Sequence, residues 1–101
     1  MTKLEKIEET NFTIDPTKIV THEKLPSQLE MELLKSDDGK FIISFEPKGE
    51  GYNSIVGHMA EYSGLTEKEM KEKYSEVVKR IKDGKYELHL HIDGKFEVKF
   101  T

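Results

Sequence analysis

Two histidines stand two residues apart near the end of the chain, His89 and His91, and Glu97 follows them across an Asp93-Gly94 turn. Residues two apart on a strand project from one face. If the segment is a hairpin closed by Ile92-Asp93-Gly94, His89 lies opposite Glu97, His91 opposite Lys95 and Glu87 opposite Lys99. Two imidazoles and a carboxylate make three ligands of a zinc ion, with a fourth position left for water or for His58, His22 or Asp93 if folding brings one near. The same residues also read as charge pairs across a solvated face, which asks for no metal.

A second constellation is acidic. Glu30 and Glu32 alternate with Leu29, Met31 and Leu33, while Asp37, Asp38 and Glu46 sit near the two ends of the same segment. Lys35 and Lys40 are the main relief to this run of carboxylates. A face of this kind keeps a small domain solvated, or it docks on a basic protein groove and speeds the encounter. No catalytic arrangement stands beside it. Gly49-Glu50-Gly51 lacks the lysine and serine of a phosphate loop, and no serine or histidine is placed by spacing as nucleophile and base. The expectation is a protein that is not an enzyme and needs no cofactor.

These residues must be positioned by local structure. Leu29, Met31 and Leu33 and then Phe41, Ile43 and Phe45 alternate with polar residues around Asp37-Asp38-Gly39. Such alternation predicts a hairpin. A three-residue loop pairs Leu33 with Ile43 and Met31 with Phe45, and places Gly39 where a left-handed residue is needed. The final hairpin follows the same logic, with Tyr86, Leu88 and Leu90 facing Phe100, Val98 and Phe96. Between the hairpins, Thr66 and Glu69 form a capping box, and Met70, Tyr74, Val77, Val78 and Ile81 recur at helical spacing. That predicts a helix over 66–82. Ile55, Val56, Met59 and Tyr62 also recur at helical spacing, with Gly64 as a stop, so an earlier helix over 53–63 is expected. Residues 1–10 read as a frayed end or a short helix, 11–14 as a short strand, Asp15-Pro16-Thr17 as a turn, and 18–24 as another strand. Tyr52, Tyr62 and Tyr74 read either as interface anchors or as the rim of the core.

The expected fold is therefore α+β: an antiparallel sheet made largely of two hairpins, with two helices between them packed on one face, in a single domain over residues 1–101. Helix, turn and helix followed by a hairpin also loosely resembles a winged helix, which would bind DNA. Glu67, Glu69 and Glu72 stand where phosphate contacts are expected and oppose that reading. Composition narrows the class further. The chain has no cysteine, which excludes disulfides, thiolate ligands and cysteine nucleophiles. Its net charge is −4, divided as −5 over residues 1–61 and +1 over residues 62–101. That is neither the basic stripe of a nucleic-acid binder nor the one-sided acidity of a nucleic-acid mimic. The opening MTKLEKIEETNF is too charged for a secretory signal and no run is long enough to span a bilayer, so a cytoplasmic location is expected.

Short length, a Lys/Glu/Ile-rich and cysteine-free composition, acidic balance and a compact α+β pattern together resemble the small accessory proteins of phages of Gram-positive bacteria, and among them the anti-CRISPR proteins. The resemblance spans the chain without a motif, so no site residues carry over. It implies a non-catalytic inhibitor that binds a host protein, a nucleic-acid-processing enzyme such as a CRISPR effector. On this reading the contacts come from Glu30, Glu32, Asp37, Asp38 and Glu46, without binding to duplex DNA or membrane. The alternatives are a zinc-binding domain using His89, His91 and Glu97, and a winged-helix DNA-binding protein.

Overall fold

The computed structural model of the protein describes residues 3–20, 27–49, 58–90 and 96–101. In chain order it contains β1 (Leu4–Thr13), a 3-10 turn (Pro16–Lys18), β2 (Ile19–Val20), β3 (Gln28–Ser36), β4 (Phe41–Lys48), β5 (His58–Tyr62), α1 (Glu67–Lys82), β6 (Tyr86–Leu90) and β7 (Phe96–Phe100). Strands β1, β3, β4 and β5, in that spatial order, form an antiparallel sheet. Strands β2, β6 and β7 form a second sheet, in which β2 runs parallel to β6 and β7 antiparallel to it.

Both hairpins take the register that apolar pairing requires. Leu33 faces Ile43 and Met31 faces Phe45. Tyr86 faces Phe100, Leu88 faces Val98 and Leu90 faces Phe96. In the first turn Ser36 and Lys40 close the loop by a backbone bond of 2.9 Å, and Gly39 has φ +86°. A Cβ at that angle would meet its own carbonyl, which is why glycine stands there. The second turn, residues 91–95, lies outside the described residues.

The expected sheet-with-two-helices architecture is not what forms. The described residues hold one α-helix, and the two hairpins belong to two different sheets. Residues 58–62, expected as the end of a first helix, are strand β5; residues 53–57 lie outside the described residues. His58, Ala60 and Tyr62 alternate with the exposed Met59 and Glu61, and β5 pairs along β4 from Phe45–His58 to Phe41–Tyr62. A short apolar run carries no periodicity long enough to decide between helix and strand; the unpaired edge of β4 decides it. Gly64, at φ +79°, sits in the turn between β5 and α1 and does not cap a first helix. The winged-helix arrangement thereby loses one of the two helices it needs. A second correction falls at the beginning. Residues 4–13 are one long edge strand, β1, in place of a frayed end and a short strand. Beyond β2, the expected strand over 18–24 continues into residues outside the described ones.

Helix α1 is built as its sequence dictates. Thr66 caps it, its hydroxyl accepting from the Glu69 N–H at 3.2 Å while Glu69 accepts from the Thr66 N–H at 3.1 Å. Replacing Thr66 by alanine removes the acceptor for that donor and is expected to cost about 1 kcal/mol in urea unfolding, with Thr66→Ser retaining most of it. An unchanged midpoint for Thr66→Ala would show the cap to be idle.

One core joins all layers. Leu29, Met31 and Leu33 of β3, Phe41, Ile43 and Phe45 of β4, Tyr86, Leu88, Phe96 and Val98 of the second sheet, and Met70, Tyr74 and Ile81 of α1 are buried together. Val77, expected in this core, is only half-buried against it. Tyr74 is a core residue, and its hydroxyl donates to the Met31 carbonyl at 3.0 Å. That hydroxyl has a single proton, so the 2.8 Å contact with Thr10 is a bond donated by Thr10. The two sheets also meet at their edges. The backbone N–H of Val98 on β7 donates to Nδ1 of His58 on β5 at 3.0 Å, and Phe45 and Phe100 lie 6.2 Å apart beside it.

Candidate functional site

The outward face of the first sheet collects the carboxylates that the alternation of β3 places there. Glu30 stands directly opposite Glu46 on β4, and Glu32 opposite Glu9 on β1. Oxygens of Glu30, Glu32 and Glu46 lie within 4.8 Å of one another. Expected site residues Glu30, Glu32 and Glu46 are thus brought together. Asp37 and Asp38 are not: they form the turn at the other end of the hairpin, roughly 20 Å along the strands from Glu30. Asp38 is occupied there, accepting bonds from the Ser36 hydroxyl and from the Lys40 N–H.

A residue outside the expected set completes the row. β1 carries a bulge between Lys6 and Glu8, so the pairing steps from Lys6–Leu34 to Glu8–Leu33. One extra residue in a strand reverses the facing of everything beyond it. Lys6 and Glu9, three apart, would otherwise point to opposite faces. With the bulge they share the outer face and pair at 3.1 Å, next to Glu32. Nothing in LEKIEE announces the bulge, since it contains no glycine and no turn residue, and the segment does not read as a strand at all.

Crowding sets the electrostatics of the row. Glu30 is only 11% exposed at its side chain and pairs with Lys48 at 2.5 Å. The Lys48 ammonium, and then a hydrogen bond shared with Glu32, hold the Glu30 carboxyl below its ordinary range. Glu32 moves the other way: burial, and then the hydrogen bond and charge of Glu30, push it above the ordinary value of 4.5. A proton on Glu32 leaves the ionised Glu30 beside it with a hydrogen bond and without a like charge, which is why the two shifts are opposite. Both carboxyls lie on the outward face and are half-buried there, each shielding the other.

This gives a pH-dependent prediction. The folded state binds a proton at Glu32 more tightly than the unfolded chain does, so ionised Glu32 destabilises the fold above its folded pKa. Glu32→Gln should therefore raise stability at neutral pH by up to about 1 kcal/mol. The gain should disappear as pH falls through the raised pKa toward 4.5, where wild type is protonated as well. Urea titrations from pH 4 to pH 7 check this, and a gain that does not change with pH would reject it.

The histidine pair is only partly placed. His89 faces Glu97 across β6 and β7, in the expected register. Its Nε2 is buried and has no hydrogen-bond partner among the described residues. His91 lies outside the described residues. Among the described residues the group within metal-ligating reach is the Glu30, Glu32 and Glu46 row, which contains no histidine. No helix among the described residues is long and apolar enough to cross a membrane. Comparison with protein-family models, with curated proteins and with solved structures finds no match.

Proposed function

We propose that the protein is a small non-catalytic binding module of the phage-inhibitor kind, docking through its carboxylate row on a basic surface of a host nucleic-acid-processing protein, of which a CRISPR effector is one. The observation that carries the reading is the convergence of Glu30, Glu32 and Glu46 within 4.8 Å beside Glu9, with Lys6 and Lys48 the cations paired into the row among the described residues. Like charges directly opposite on a sheet destabilise it. Partner lysines and arginines would replace that repulsion with pairing, and the field of the row would steer the encounter.

The test uses Glu32→Lys with Glu46→Lys, which leaves the Glu30–Lys48 pair in place. A partner is captured from host lysate, identified by mass spectrometry, and its association measured against salt. The double variant should stay folded, associate more slowly and show a flatter salt dependence. Unaltered rate and affinity would reduce the row to a solvated surface.

A second reading, a zinc site, rests on a separate observation, the buried and unpartnered Nε2 of His89. Titration calorimetry with zinc, on the wild type and on His89→Ala, decides it: heat of binding that survives the substitution rejects the site.

A further inference from the structure

The bulge that turns Lys6 and Glu9 outward turns Glu8 inward, opposite Leu33 and toward α1. There a groove of about 440 Å³ opens between strand and helix, lined by Glu8, Glu9 and Thr10 of β1 and by Tyr74, Ser75 and Val78 of α1. Oε2 of Glu8 is buried and has no hydrogen-bond partner among the described residues. Glu9 does not compete for a ligand in this groove, because its carboxylate is paired with Lys6 on the other face.

The hydrogen-bond inventory of the groove is one-sided. The Tyr74 proton is committed to the Met31 carbonyl, and the Thr10 proton to the Tyr74 oxygen. What remains for a ligand is the Glu8 carboxylate as a lining group, the hydroxyl lone pairs of Thr10 and the adaptable Ser75 hydroxyl. Among the described residues no basic side chain lines the groove. A buried acceptor left without a donor is costly, and a charged one more so. The complementary group has several donors, no acceptor and a positive charge, which describes a primary ammonium. Half-buried Val78 offers an apolar flank for the methylene stem behind it.

We propose that the groove between β1 and α1 is a binding site for an alkylammonium group, supplied by a free amine or by a lysine side chain, with Glu8 as its counter-ion. The site lies on the opposite face of the sheet from the carboxylate row, so its test does not bear on the docking face.

The experiment is an amide-resolved NMR titration of the full chain at constant ionic strength. The probes are n-butylammonium chloride and N-acetyl-lysine methylamide, with N-acetyl-norleucine methylamide as the uncharged control. Saturable shifts at Glu8, Thr10 and residues 74–78 are expected with the ammonium probes and not with the control. Saturation by n-butylammonium alone supports the site with a free amine as its ligand; saturation by both admits a lysine side chain. Glu8→Gln should weaken probe binding by about tenfold or more. Ser75→Lys, at an exposed helix position, should tether an ammonium at the groove and abolish saturation without needing Glu8 to be changed. Shifts that never saturate, or an affinity left unchanged by Ser75→Lys, would overturn the proposal.

Discussion

Truncating Leu88 to alanine is expected to cost about 2–5 kcal/mol, and Phe96→Ala a similar amount or more. Leu88 is 0% exposed and stands on β6, the middle strand of the second sheet, with Ile19 on one side and Val98 on the other. Its removal leaves a cavity walled by two strands that cannot both collapse into it. Phe96, 3% exposed, faces the same core from β7. Among the described residues the second sheet has three strands. Leu88, Phe96 and Val98 are buried in one core with the first sheet and α1, so that burial is a large part of what holds the second sheet in place. Thermal unfolding measures the loss, at roughly 4–8 °C for each kcal/mol in a chain of this size. Unchanged melting temperatures in both variants would mean that the second sheet does not close the core.

Tyr74→Phe is expected to cost about 1–3 kcal/mol although it removes a single oxygen. That oxygen ties three elements together: it sits on α1, donates to the Met31 carbonyl on β3 and accepts from Thr10 on β1. Tyr74 is 3% exposed, so water does not readily replace the lost bonds. Burial also pushes the Tyr74 hydroxyl above its ordinary range, which keeps it protonated and able to donate. A double-mutant cycle isolates the effect. Thr10→Val should cost less in the Tyr74→Phe background than in wild type, because its partner is already gone. Strictly additive losses would show that the two hydroxyls do not act together.

The parts of the protein legible in the sequence are those decided within a few residues. The hairpin registers follow from alternation with period two, because a slip by one residue would turn every apolar side chain into water. Thr66, Glu69 and the periodic Met70, Tyr74 and Ile81 specify α1 by capping and amphipathicity alone. The outward facing of Glu30, Glu32 and Glu46 is a consequence of the same alternation, so part of the candidate site was readable too.

The rest depended on neighbours distant in sequence. Residues 58–62 satisfy a helical pattern as well as a strand pattern, and they become β5 because β4 offers an unpaired edge to bond with. Residues 4–10 are charged on both faces and look unstructured, yet β3 recruits them, since a paired backbone outweighs weak local preference. Glu8 and Glu9 are adjacent identical residues that alternation sends to opposite faces, and the bulge in β1 decides that Glu8 is the one beside Tyr74 and Glu9 the one paired with Lys6. That choice arises because side-chain facing in a strand is set by pairing count, a property of two strands together that neither sequence carries by itself.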